Sequence, residues 1–304
     1  KYKGNITWVD NTRFSRTREE IEKELAEIKA KAIADGTFMK APNGKRSNLG
    51  ERQWLHVRLK SFKKWFGDWE KAARIEKLRK SKPLSFTGKE YEGKYELNNQ
   101  SAERYILDNL RGEYSNKDTG EKILISRKGA NKVSHHDAEN DIHLKSIAYI
   151  PQMIENATFI AEEENLKSKN GFDSFKYYVV GLNIGGENYT AKLAIGSKDG
   201  QIYYDHALTE IEKSDLINQI DSVERRVYGD KDALSGVKDK RLVSILQTNS
   251  SKVVDENGEP MEVWHGSPND FNVFDNEKAL RGFYFAPPKR RDSVAGYYGD
   301  GKER

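Results

Sequence analysis

The sequence predicts an α+β fold: a helical N-terminal segment, then helices packed on a four-stranded antiparallel sheet, then a partial mixed α/β domain. Three observations predict it. Apolar residues recur three and four apart through the first eighty positions, the spacing of a helix face. Between residues 157 and 206 the spacing falls to two, and Gly185-Gly186 and Asp199-Gly200 supply hairpin turns. Helices first and an antiparallel meander after them is the α+β order.

The elements follow in turn. Residues 15–35 read as a helix: Thr17 and Glu20 stand at capping-box spacing, Ile21, Leu25, Ile28 and Ala32 form one stripe, and Gly36 ends it. After a loop with Pro42, Asn43 and Gly44, residues 48–80 read as a second helical region. There Trp54, Val57, Phe62, Trp65, Phe66 and Trp69 recur at helical spacing. That stripe reads as core, although aromatics among Lys and Arg are also the pattern that stacks bases. Lys82-Pro83 marks a boundary. Residues 101–110 read as a short helix, 122–126 as a strand, and 138–154 as a helix interrupted at Pro151. Strands follow at 157–161, 174–184, 189–195 and 201–206, and a helix over 207–227 closes the domain. The expected division is 1–83, 84–228, a linker over 229–250, and 251–304, where Asp255 to Gly258 turn between two short strands.

At 304 residues the chain has room for two or three domains. No apolar run is long enough for a membrane span, and the N-terminus, KYKGNITWVD, has no signal-peptide layout and reads as an internal start. With no cysteine, disulfides, thiol nucleophiles and cysteine-based zinc sites are excluded, which fits a reducing compartment. Residues 1–80 carry 21 Lys and Arg against 11 Asp and Glu, whereas the remainder is acidic. A basic head on an acidic body is either a polyanion-binding surface or a solvated helical one.

NKVSHHDAENDIH, residues 131–143, holds three of the six histidines. Zinc is disfavoured there, because cysteine is absent and His136 and His143 stand seven apart, outside the usual ligand spacing. No metal is expected, and His143 reads as structural or solvated. Acid–base chemistry needs a partner, and His206, where the last strand meets the next helix, is the natural one. Lys192 supplies a cation. Hairpin register decides whether the two cooperate. A two-residue Asp199-Gly200 loop sets Lys192 opposite Ala207 and turns His206 towards the Leu193 side. A three-residue loop from Lys198 sets Lys192 opposite His206, with Thr190 and Tyr204 on the same face. The second register is favoured because it gathers four polar groups. His136 at a helix start, His206 as acid and Lys192 on a phosphate would cleave RNA without a metal, through attack of the 2′-hydroxyl on its own phosphodiester. The competing reading is a histidine that satisfies a backbone partner.

GKRSNLGERQWLHVRLKSFKKWFGDWE (44–70) resembles a segment common in large polyvalent proteins of phages and mobile elements. The span from ILISRKGANKVSHHDAENDIH through YYVVGLNIGGENYTAKLAIGSKDGQIYYDHALTEIEK resembles a polyvalent-protein-associated domain, similar in turn to the barnase–EndoU–colicin–RelE group of RNase folds. This resemblance covers nearly all of 100–225. It implies an active site at His136 or His135, Lys192, His206 and Thr209, RNA as substrate, no cofactor, and 2′,3′-cyclic phosphate products. The tail resembles ADP-ribosyltransferases of the His-Tyr-Glu type in EVWHGS, GFYFA and SVAGYY. This second resemblance implies NAD held by His265, Gly266 and Ser267, with Tyr284 and Tyr297 flanking the nicotinamide, and a host protein or nucleic acid as target. The family's catalytic Glu lies well downstream of its second motif, and 20 residues follow Tyr284, so the transferase portion is expected to be incomplete. Three functions stand open: metal-independent RNA cleavage by the middle domain, an NAD-dependent transferase in the parent protein with that domain as adaptor, and a non-catalytic binding module. The expected setting is the cytoplasm of a bacterial host, with no membrane partner; the oligomeric state is open.

Overall fold

The computed structural model describes residues 17–127, 129, 141–165, 171–227, 240–248, 250–251, 253–261 and 263. The chain divides into two compact units, Lys1–Trp69 with Ser251–Arg304, and Glu70–Ser250.

The first unit contains α1 (Arg18–Ala34), α2 (Glu51–His56) and α3 (Lys60–Phe66). The capping box forms as expected: Glu20 N–H donates to Thr17 Oγ1 at 3.2 Å and Thr17 N–H to the Glu20 carboxylate at 2.8 Å. The helical region expected over 48–80 is broken into α2, α3 and α4 (Trp69–Lys80). Gly67, at φ 93, ends α3 in a conformation that side chains rarely adopt. The breaks let Trp54, Val57, Phe62 and Trp69 converge with Leu25 and Ala32 of α1 in one core.

Residues 251–261 belong to this unit. Ser251 N–H donates to the Phe66 carbonyl at 2.7 Å, and Val254 bridges Pro260 across the expected Asp255–Gly258 turn. Glu259 is 0% exposed. Its Oε2 accepts from the Ser47 hydroxyl at 2.6 Å, and its Oε1 faces Arg58 Nη2 at 3.6 Å. Burial holds this carboxyl above its usual pKa, against the opposing pull of Ser47 and Arg58. The unit is thus assembled from two chain segments that the sequence pattern treats as separate.

The second unit takes in the rest of α4 and an eight-stranded sheet. Its strands are β1 (Leu84–Phe86), β2 (Gly112–Ser115), β3 (Lys122–Ile125), β4 (Thr158–Glu164), β5 (Ser174–Ile184), β6 (Glu187–Lys198), β7 (Gln201–Tyr204) and β8 (Thr209–Glu212). The order is β1-β5-β6-β7-β3-β2, with β4 also on β5 and β8 also on β6. The sheet is therefore mixed, and not the expected four-stranded antiparallel one: β1 runs parallel to β5 and β3 parallel to β7. Strands of three or four residues, such as β1, β2 and β8, are too short to display an alternation. The residues of β8 were expected to open a helix; the helix itself, α8, starts at Leu216 (Leu216–Val227).

Both faces of the sheet are covered. α5 (Asn99–Tyr105), α6 (Asp141–Ser146) and α7 (Ile150–Asn156) pack with Tyr178, Val180 and Leu182 of β5 and Ala191, Leu193 and Ile195 of β6. On the other face α4, α8 and α9 (Lys240–Leu246) pack with Ile160 and Val179. The period-two alternation of β5 thus feeds two cores at once.

Glu90 fastens the loop after β1. Its carboxylate accepts from Thr87 N–H (2.6 Å), Thr87 Oγ1–H (2.9 Å), Gly88 N–H (3.0 Å) and Tyr149 O–H (3.0 Å). Tyr149 in turn stacks on Phe86 at 4.0 Å. Burial alone would raise the Glu90 pKa, but these donors outweigh it and bring it from 4.5 to about 2. A folded pKa below the unfolded one means that this contribution is fully present above about pH 4.5 and is lost as the pH falls towards about 2. Glu90→Gln is expected to flatten the stability profile in that window and to cost about 1–2 kcal/mol at neutral pH, after allowance for solvent screening of a half-buried group. Urea denaturation between pH 2 and 7 checks this.

Candidate functional site

The sheet register places the two residues that the sequence paired. Asp199 (φ 50) and Gly200 (φ 77) form a two-residue turn, and Lys198 pairs with Gln201. Two consecutive positive φ values are what a tight hairpin matched to the strand twist requires, and Asp-Gly is a favoured sequence for it. The favoured three-residue loop is thereby corrected. β7 ends at Tyr204, and His206 begins a 3-10 turn (His206–Leu208) in place of a strand end. The chain then re-enters the sheet as β8, so Lys192 lies opposite Glu210, and Leu193 opposite Thr209.

These pairings separate the candidates. Lys192 also pairs with Val179, which belongs to the core beneath α4, α8 and α9. Lys192 is 1% exposed and its ammonium is ion-paired to Glu210. Thr209 shares the side of Leu193, in the core beneath α5, α6 and α7, and donates to the Tyr204 hydroxyl at 3.0 Å. His206 is on this second side, hydrogen-bonded to Tyr204 and stacked on His143 of α6 at 4.1 Å. Lys192 and His206 therefore occupy opposite faces of the sheet.

The hydrogen-bond partners of His206 fix its tautomer. Nε2 lies 3.2 Å from the His143 carbonyl, which can only accept, so Nε2 carries the proton. In the neutral ring Nδ1, 2.8 Å from Tyr204 Oη, then accepts. The Tyr204 phenol donates to it, and burial raises its pKa above the ordinary value, outweighing the Thr209 hydrogen bond. The result is a directed chain: Thr209 hydroxyl to Tyr204 hydroxyl to His206 Nδ1, and His206 Nε2–H to the His143 carbonyl. Ser146 Oγ–H donates to the same carbonyl at 2.6 Å. Gly129 lies close to this cluster; a Cβ there would come within 2.5 Å of the Tyr204 carbonyl oxygen. Tyr204, His206, Thr209, His143 and Ser146 are all buried.

Of the residues named from sequence, the fold brings His206 and Thr209 together through Tyr204 and sets Lys192 apart. His135 and His136 lie outside the described residues, as do His265, Gly266, Ser267, Tyr284 and Tyr297. The sequence reading grouped Tyr204 with both His206 and Lys192, and the structure keeps it with His206 alone; Ser146 and the stacking of His143 on His206 escaped that reading. A signal existed, since Tyr204 precedes His206 by two and Ser146 follows His143 by three, the strand and helix spacings that share a face. Among the described residues no group of three or more His, Asp or Glu is placed to hold a metal ion. No helix among them is long and apolar enough to cross a membrane.

Comparison with known proteins gives one match. Residues 93–204 match the model of large polyvalent protein-associated domain 3. The match spans α5 to β7, a little over a third of the chain, and overlaps most of the region whose motifs resemble a polyvalent-protein-associated domain. It contains Lys192 and Tyr204 and stops short of His206. No curated protein and no solved structure matches the chain.

Proposed function

We propose that the second unit is a non-catalytic binding module of a large polyvalent protein. The observation that carries this reading is the placement of Lys192 and His206 on opposite faces of the sheet. General acid–base cleavage of RNA needs the proton donor and the phosphate-binding cation within reach of one phosphodiester. Here Glu210 meets the cation, and both ring nitrogens of His206 are engaged within the core. The polyvalent-protein match supports the setting and is silent on catalysis.

The test uses the full chain with end-labelled RNA in EDTA. The expected result is no release of 2′,3′-cyclic phosphate ends above a protein-free control, with wild type, His206→Gln and Lys192→Met indistinguishable. Cleavage by the wild type that disappears in His206→Gln, with the melting temperature of that variant unchanged, would overturn the proposal in favour of a nuclease built on His206.

A further inference from the structure

Among the described residues α3 carries the most exposed large apolar side chain, Trp65, at 67%. An exposed indole on a short helix is unusual company for a core, and its surroundings are specific. Phe62 and Phe66, one turn back and one residue on, lie at ring-centroid distances of 5.7 and 5.9 Å from it. They stack on each other at 5.2 Å, and Phe62 is buried. The indole thus stands on an aromatic base tied into the core, which limits its rotamers while its outer surface meets water. Lys60 and Lys64 are both exposed. Four residues apart, they form a ridge on the helix beside Trp65. From Leu59 to Gly67 the sequence LKSFKKWFG has three lysines and no acid.

We infer that this face of α3 binds single-stranded nucleic acid, with Trp65 stacking on one base and Lys60 and Lys64 contacting the flanking phosphates. Two chemistries converge on this occupant. An exposed indole offers a π-face that any unpaired base can cover, whereas in a duplex the bases are already stacked on one another. A cationic ridge next to the ring matches a backbone with one charge per nucleotide. A purely apolar protein partner would leave the ridge without a counterpart. The site lies in the first unit and is independent of the binding-module reading of the second.

Fluorescence anisotropy of the full chain with fluorescein-labelled dT12 and rU12 tests it. Trp65→Ala is expected to weaken binding of both about tenfold, and Trp65→Phe, which keeps a stacking ring, by less than about threefold. Lys60→Gln/Lys64→Gln is expected to weaken binding and to reduce the slope of log K against log salt by about 1.4. The lysine pair carries the test independently of any effect of the ring on folding. The inference is overturned if the wild type binds neither oligonucleotide, if Trp65→Ala binds as tightly as wild type, if Phe fails to restore what Ala removes, or if a duplex of equal length binds as well as the single strand.

Discussion

Asn116→Ala is expected to destabilise the second unit by about 3 kcal/mol. The side chain is 1% exposed and sits at the turn between β2 and β3. Its amide donates to the carbonyls of Ile154 (2.7 Å) and Ala157 (2.8 Å), at the end of α7. Its carbonyl oxygen accepts from Asp118 N–H (3.1 Å), Thr119 N–H (2.9 Å) and Thr119 Oγ1–H (3.1 Å). One amide therefore closes a turn and ties a helix end to it. Alanine would leave two inward carbonyls without a donor and the turn without its internal acceptor, and an unmade buried bond costs more than a made one contributes. For a unit of this size the loss corresponds to a fall in Tm of about 6–12 °C. Asn116→Asp keeps the acceptor and removes both donors, so its loss relative to wild type reports the link to α7, and the difference between the two variants reports the turn. Denaturant unfolding with an unchanged m-value is the measurement; a midpoint within error of wild type would remove Asn116 from this role.

Arg58→Ala should cost the first unit still more, about 3–5 kcal/mol. The Arg58 guanidinium lies 3.5 Å from the Trp54 ring centroid and 4.9 Å from that of Trp69. It donates to the Trp54 carbonyl at 2.9 Å and faces the buried Glu259. Its removal takes away a stacked cation, two backbone hydrogen bonds, to the Trp54 and Lys40 carbonyls, and the counter-charge of a carboxylate without solvent contact. The double variant Arg58→Ala/Glu259→Gln is expected to recover part of the loss, because the stranded charge goes with its partner. The pH profile adds a second reading. Glu259 has a folded pKa above its ordinary value. The folded state therefore holds that proton more tightly than the unfolded one, and stability from this group is greatest below the unfolded pKa and falls as the pH rises through the folded one. Arg58→Ala should deepen that fall, and Glu259→Gln should abolish it. A double variant no more stable than Arg58→Ala alone, or a profile unaltered by Glu259→Gln, would contradict this account.

Local pattern made much of this chain legible. The capping box at Thr17 and Glu20, the stripe of α1, the strand at 122–125 and the full length of β5 follow from periodicity and from side chains that satisfy nearby backbone groups. The two hairpin turns were equally visible. The choice between a two- and a three-residue loop at Asp199-Gly200 was not visible once a functional preference was allowed to decide it, although the Asp-Gly pair itself favoured the shorter one. The candidate site suffered most from that choice, because a slip of one residue moves a side chain to the other face of a sheet. His206 is the case in point: the shorter loop puts it on the Leu193 side, away from Lys192.

By itself the sequence determined the longer helical and extended stretches, the resemblance to a polyvalent-protein-associated domain, and the presence of His206 and Thr209 near one strand end. Tertiary structure decided the rest. It set the parallel pairings of β1 and β3, the burial of Lys192 against Glu210, the Thr209–Tyr204–His206 chain, and the seating of Glu259 on Arg58 across more than two hundred residues. The physical reason is common to all four. Each depends on what distant chain segment arrives at a face and in which register, and that is not encoded in the spacing of nearby residues.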